Sequence, residues 1–168
     1  LKKIKNKKIK NFKPVGFIVG KKNIYLTTSN GRLFVIDILT GNTKSVLKLD
    51  HNLAIVEPHW QSGMLDVLYH DGSVYVSYTE GRGGEKTSTS IAKGRLIDNK
   101  IINFENIFQS EPPVENNLHW GSRLAIKDGL LYASVGERAL GSVAQDPSNH
   151  IGKIIRIETD GSSPEDNP

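Results

Sequence analysis

The chain has 168 residues, of which 37% are hydrophobic, so it is long enough to bury a substantial core. Cysteine is absent, which excludes disulfide bridges, thiolate zinc sites and cysteine nucleophiles. The longest apolar runs are too short to cross a bilayer, so we expect no membrane span.

Charge is unevenly distributed along the chain. The first 36 residues hold ten Lys or Arg and no acid, whereas the remainder holds twelve basic and eighteen acidic residues. We expect residues 1–14 to form a basic N-terminal arm or an edge strand. A nucleic-acid surface usually adds aromatic residues on which bases stack, and only Phe12 is available there. We therefore expect no nucleic-acid partner.

A weak repeat runs along the chain in three segments, 18–28, 67–79 and 124–137. Each segment has an apolar strand, a polar turn and an alternating strand with a central tyrosine. Third strands follow at 32–38 and 153–158. Alternating patterns with Asp-Gly or Asn-Gly between them predict antiparallel hairpins. No window shows a convincing helical period, so the sequence predicts an all-β protein.

The repeat length predicts β-propeller blades. The central tyrosines, Tyr25, Tyr75 and Tyr132, lie 50 and 57 residues apart, which fits blades of four strands. We predict about three blades over residues 15–50, 51–110 and 111–168. Propellers typically close with four to eight blades, so we expect uncovered blade faces that favour self-association.

Several motifs resemble those of the glucose/sorbosone dehydrogenases, the soluble aldose sugar dehydrogenases that use pyrroloquinoline quinone. The matching stretches are QSGMLDV at 61–67, HWGSR at 119–123, GER at 136–138, AQDPS at 144–148 and HIGK at 150–153. The resemblance covers roughly residues 47–168. It implies a six-bladed propeller, of which this chain supplies the N-terminal half. It also implies a periplasmic or secreted location, and we expect a truncated reading frame or an excised fragment.

The N-terminal repeat leaves a second interpretation open. Residues 15–49 resemble quinoprotein-type propeller repeats, and their turns are also typical of outer-membrane assembly propellers. The repeat could be the first blade of the dehydrogenase or part of another propeller. The alternative function is thus a non-catalytic β-propeller that binds protein. A propeller lactonase would need a carboxylate-ligated metal, for which the sequence offers no pattern.

His119 is the candidate catalytic base, because an imidazole can accept a proton near neutral pH. The resemblance implies that His119 takes the proton of the anomeric hydroxyl of an aldose while hydride leaves for the quinone. Glu137 stands where the family typically has Asp, and it could orient the imidazole. The competing interpretations are a surface histidine and a surface ion pair between Glu137 and Arg138.

The candidate cofactor-binding residues are Gln61, Arg123 and Gln145. The resemblance implies that Gln61 lines the mouth shared by substrate and cofactor, and that Arg123 could face the quinone. It also implies a calcium ion and an external electron acceptor. The calcium ligands and the main cationic contacts to the quinone are expected beyond Pro168, and we expect no metal ligand within this chain. Asp66 is expected to satisfy backbone groups and to take no part in chemistry.

Overall fold

The computed structural model describes residues 14–20, 22–48, 61–98 and 100–167. Most of the predicted basic arm, residues 1–13, lies outside them. The described residues form three antiparallel sheets in which consecutive strands are neighbours. They contain no α-helix, and none of their segments is a helix that could span a membrane. The all-β, propeller-type prediction is confirmed.

The strands of each sheet follow one another along the chain. The first sheet contains β1 (Pro14–Val19), β2 (Asn23–Thr28), β3 (Arg32–Asp37) and β4 (Thr43–Lys48). The second contains β5 (Met64–His70), β6 (Ser73–Gly81), β7 (Thr87–Ile97) and β8 (Lys100–Gln109). The third contains β9 (Gly121–Lys127), β10 (Leu130–Val135) and β11 (Ile154–Glu158). A short 3-10 helix, Gly141–Gln145, lies between β10 and β11.

The core lies between the sheets, and β6 is buried on both faces. Val74 and Val76 on one face pack with Tyr25 and Leu33 of the first sheet. Tyr75, on the opposite face, packs with residues of the third sheet: Leu124, Leu131, Ala133 and Ile157. Burying one such side chain contributes about 1.5–3 kcal/mol. The middle sheet is therefore stabilised by both neighbours.

Polar groups also join the second and third sheets at their first strands. Buried Asp66 on β5 accepts the backbone N–H of Leu124 on β9 at 2.9 Å. Ser77 accepts the N–H of Asp66 at 3.0 Å and donates its hydroxyl to the carbonyl of Ser122 at 2.7 Å. The Asp66–Leu124 and Ser77–Ser122 bonds cross to β9 and fix its register against β5 and β6. The expected backbone-satisfying role of Asp66 agrees with this geometry.

Large apolar side chains are exposed on the outer strands β1 and β11 of the described structure. Phe17 and Val19 on β1 are 65% and 59% exposed, and Ile154 on β11 is 71% exposed. Exposed apolar faces of packed sheets are usual sites of association. Self-association through these faces stays a prediction.

We predict that Asp66→Ala lowers the free energy of unfolding by about 2 kcal/mol, because it leaves the buried N–H of Leu124 without an acceptor. Asp66→Asn keeps an acceptor oxygen and should cost less. Arg123, which pairs with Asp66 but has a side chain 74% exposed, provides the control. Arg123→Ala should cost about 0.5 kcal/mol or less. Urea unfolding measures all three, and equal losses for Asp66→Ala and Arg123→Ala would contradict the buried link.

Candidate active site

The candidate residues gather at one end of the second and third sheets. Gln61 lies three residues before β5, and His119 lies two residues before β9. Glu137 follows β10, which runs antiparallel to β9 and so ends beside the start of β9. Loops at one end of packed strands are a common place for functional side chains. The topology thus explains why residues distant in sequence meet.

His119 and Glu137 form the centre of the site. The imidazole Nδ1 is hydrogen-bonded to Glu137 Oε1, and Glu137 Oε2 accepts the N–H of Gly141 at 3.4 Å. The hydrogen bond from His119 is the main reason that the pKa of Glu137 lies below its ordinary value of 4.5. The side chains are 49% and 37% exposed, respectively. The pair is therefore fixed in orientation while remaining open to a ligand.

The backbone of His119 is held from two sides. Its φ is 49°, an uncommon value for a residue with a side chain. The His119 N–H donates to Gln61 Oε1 at 3.0 Å. On the other side, a Cβ added at Gly136 would lie 1.7 Å from the His119 carbonyl oxygen, so only glycine allows this approach. Gly136 in turn donates its N–H to the carbonyl of Trp120 at 2.9 Å.

The remaining candidate residues differ in how closely they join this centre. Arg123 on β9 donates to Asp66 Oδ1 at 3.0 Å, and most of its guanidinium is free to meet an anion. Gln145 is exposed at the end of the 3-10 helix that begins at Gly141. Within the described part of the chain, its side chain makes no hydrogen bond to the other four. The structure thus joins Gln61, His119 and Glu137 directly.

Arg138 corrects one sequence-based interpretation. The expected alternative was a surface ion pair between Glu137 and Arg138, but Arg138 is 2% exposed and Glu137 pairs with His119. The guanidinium instead binds carbonyl groups of the segment that carries His119. A positive φ of 56° accompanies this inward placement. Local sequence gave no signal for it, because an arginine after a strand is usually exposed.

These side chains indicate which kinds of cofactor or metal ion the site could bind. The exposed guanidinium of Arg123 and the amide of Gln61 are groups that suit the carboxylates and carbonyls of an anionic quinone. For a metal ion, the described residues contain no group of three or more His, Asp or Glu suitably placed. Those donor groups would suit an organic anion, and the described residues offer no cluster of carboxylates for calcium.

We predict that His119→Ala raises the pKa of Glu137 towards 4.5, because it removes the main cause of the lowered value. In the unaltered protein the pair should stabilise the loop fully above pH 4.5. That stability should be lost as the pH falls through the lower folded-state pKa. Carbon-13 NMR titration of the Glu137 carboxyl measures the shift. His70→Ala, at the far end of β5, is the control, and an unchanged pKa in His119→Ala would contradict the pairing.

Comparison with known proteins agrees with the fold and the motifs. The family model described as Glucose / Sorbosone dehydrogenase matches residues 13–168. The match includes the N-terminal repeat, which therefore belongs with the dehydrogenase motifs. The chain is 32% identical over 118 residues to aldose sugar dehydrogenase YliI of Escherichia coli (strain K12), covering 66% of this chain and 32% of that protein.

Solved structures show the same architecture. The apo-form of the soluble aldose sugar dehydrogenase from Escherichia coli matches with a TM-score of 0.79 and 28% identity. It is aligned over 92% of this chain and 46% of its own length. The aldose sugar dehydrogenase of Streptomyces coelicolor, solved in its PQQ-bound form, shares the fold, with a TM-score of 0.77, 20% identity and coverage of 92% and 47%.

The chain spans about a third of the Escherichia coli relative and under half of these solved structures. The family match nevertheless extends over nearly the whole chain and includes all five candidate site residues. From its sequence, its sheets and this match, the chain belongs to the glucose/sorbosone dehydrogenase family.

Proposed function

We propose that this chain forms the base-bearing part of a quinone-dependent aldose dehydrogenase that oxidises the anomeric hydroxyl of a sugar to a lactone. The observation that carries the proposal is the His119–Glu137 pair, in which one imidazole nitrogen is engaged and the ring remains half exposed. The relative of Escherichia coli named aldose sugar dehydrogenase supports the substrate class.

The proton-accepting role of His119 follows from its hydrogen bond to Glu137. A carboxylate on Nδ1 favours the neutral tautomer that carries its proton on Nδ1. The lone pair then lies on Nε2, for which no protein partner is found in the described part of the chain. In that tautomer Nε2 can accept the proton of the anomeric hydroxyl. Glu137 then stabilises the imidazolium that forms, since its lowered pKa keeps it ionised.

The other side chains bind and orient. Arg123 presents donors for a carboxylate of pyrroloquinoline quinone, which when bound supplies the oxidant that accepts hydride from the anomeric carbon. Gln61 uses Oε1 to hold His119, so its amide NH2 remains to bind a sugar hydroxyl or the cofactor. Gln145 is a proposed cofactor contact from the loop beside Glu137. Calcium has no role in these steps, because the described residues contain no cluster of three His, Asp or Glu that could hold it.

The setting of the reaction belongs to the same proposal. Oxidation of successive sugars requires an external electron acceptor that re-oxidises the cofactor. The resemblance of the motifs supports a periplasmic or secreted location, where free aldoses would be the substrate.

We predict that His119→Ala lowers kcat by roughly 10²–10⁴-fold in the full-length protein reconstituted with pyrroloquinoline quinone and calcium. Glu137→Gln should have a smaller effect in the same direction, since it removes the charge that orients the ring and stabilises the imidazolium. The measurement is steady-state dye reduction with an aldose. Quinone affinity, measured by titration, should change much less than kcat in both variants.

His70→Ala is the matched control, because His70 is an exposed histidine at the opposite end of β5. It should leave kcat and quinone affinity unchanged. A His119→Ala protein that retains the full kcat would refute the assignment of the base. Absence of aldose oxidation by the loaded wild-type protein would refute the proposed function itself.

A further inference from the structure

Arg138 is a buried cation without an anionic partner. It is 2% exposed, and no carboxylate of the described residues forms an ion pair with it. Burial lowers the pKa of its guanidinium to about 10. Removing a charge from water is costly unless its hydrogen bonds are satisfied. A fixed arrangement of acceptors is therefore needed to hold Arg138 where it lies.

The acceptors come from the segment just before His119 and from Thr87 of the second sheet. Arg138 Nε donates to the carbonyl of Leu118 at 2.9 Å, and Nη2 donates to the carbonyl of Asn116. Nη1 and Nη2 donate to the carbonyl and hydroxyl oxygens of Thr87, at 3.3 and 2.8 Å. All of these acceptors are neutral, and they surround the planar guanidinium in fixed directions.

A stacking contact completes the arrangement on the other side of His119. The Arg138 guanidinium carbon lies 3.6 Å from the centroid of the buried Trp120 ring, a cation–π geometry. Arg138 thus holds residues 116, 118 and 120, while His119 between them points its ring to Glu137. Because Arg138 directly follows Glu137, one side chain connects the two loops that bring the pair together.

We propose that Arg138 is a positioning residue that aligns His119 with Glu137 through the fixed geometry of its guanidinium rather than through its charge. Lysine carries the same charge, but it has no planar set of five donors and cannot stack in the same way. The structural part of this inference stands without the proposed function, and only the expected change in rate rests on it.

The test compares Arg138→Lys and Arg138→Met with wild type in the full-length protein. Both variants should raise the pKa of Glu137 towards 4.5, because the His119 hydrogen bond that lowers it is weakened. Carbon-13 NMR titration without cofactor measures this, and Glu137→Gln assigns the signal. In the loaded enzyme, Arg138→Lys should lower kcat about 10- to 100-fold, as expected for a misplaced base, with a smaller change in KM.

Arg156→Lys is the matched control, since Arg156 lies on β11, next to the strand that leads to Arg138, and binds Asp166 and Asn167 away from the pair. It should leave the pKa of Glu137 and kcat unchanged. If Arg138→Met raises the pKa but Arg138→Lys does not, charge alone is responsible and the proposal is overturned. A lowered Tm with the pKa of Glu137 unchanged in both Arg138 variants would also overturn it, because the role would then be structural.

Thr87→Val keeps the test decisive if the Arg138 variants do not fold. It removes the hydroxyl that accepts from Arg138 Nη2 and donates to the Asn116 carbonyl, while conserving side-chain shape. A folded Thr87→Val protein should show a smaller rise in the pKa of Glu137, and no rise would overturn the proposal. If the wild-type protein oxidises no aldose, the proposed function fails while these titrations still decide the role of Arg138.

Discussion

The contact between Asp66 and the backbone of Leu124 determines how the second and third sheets are placed. The two oxygens of the buried Asp66 carboxylate accept hydrogen bonds from Arg123 and Leu124 on β9, the first strand of the third sheet. A Cβ at Gly16 on β1 would lie 2.8 Å from the Cα of Asp66, so the first strands of all three sheets approach one another here. Hydrophobic packing between sheets is non-directional, whereas this hydrogen bond sets a register.

The register of β9 against β5 places the residues of the candidate site next to one another. Gln61 precedes the strand that carries Asp66, and His119 precedes the strand that Asp66 holds. A slip of β9 against β5 would separate the Gln61 amide from the N–H of His119. The role proposed for His119 depends on its position, because a base displaced by about 1 Å can lose much of its effect. The Asp66–Leu124 link, which does not touch the His119–Glu137 pair, is thus a condition for the geometry of the site.

Much of the fold follows from local patterns. The Asp71-Gly72 and Asp128-Gly129 turns have positive φ at both residues, as the sequence suggested for tight hairpins. The central tyrosines all fall on second strands, β2, β6 and β10. His119 and Glu137 could be suggested from motifs because each lies in a short distinctive stretch.

Contacts between sheets could not be found in the same way. Arg138 and Thr87 are 51 residues apart, and their pairing depends on how two sheets pack rather than on either local sequence. Sequence reasoning placed Arg138 on the surface because arginine is rarely buried. Gln145 was suggested by a motif, and its side chain makes no hydrogen bond to His119 or Glu137 in the described structure, so its role stays a prediction. Alternation of apolar and polar residues identifies which face of a strand is buried, but not which residues of another sheet pack against it.

The close approach of Gly136 to the His119 carbonyl has a consequence for the variation that this site can tolerate. Any side chain at position 136 would have to displace the backbone of His119, so no single substitution there is compatible with the present arrangement. Ala139 and Leu140, by contrast, are exposed in the loop that follows Glu137. Sequence variation around the site should therefore accumulate along that loop, while position 136 remains glycine wherever the His119 geometry is kept.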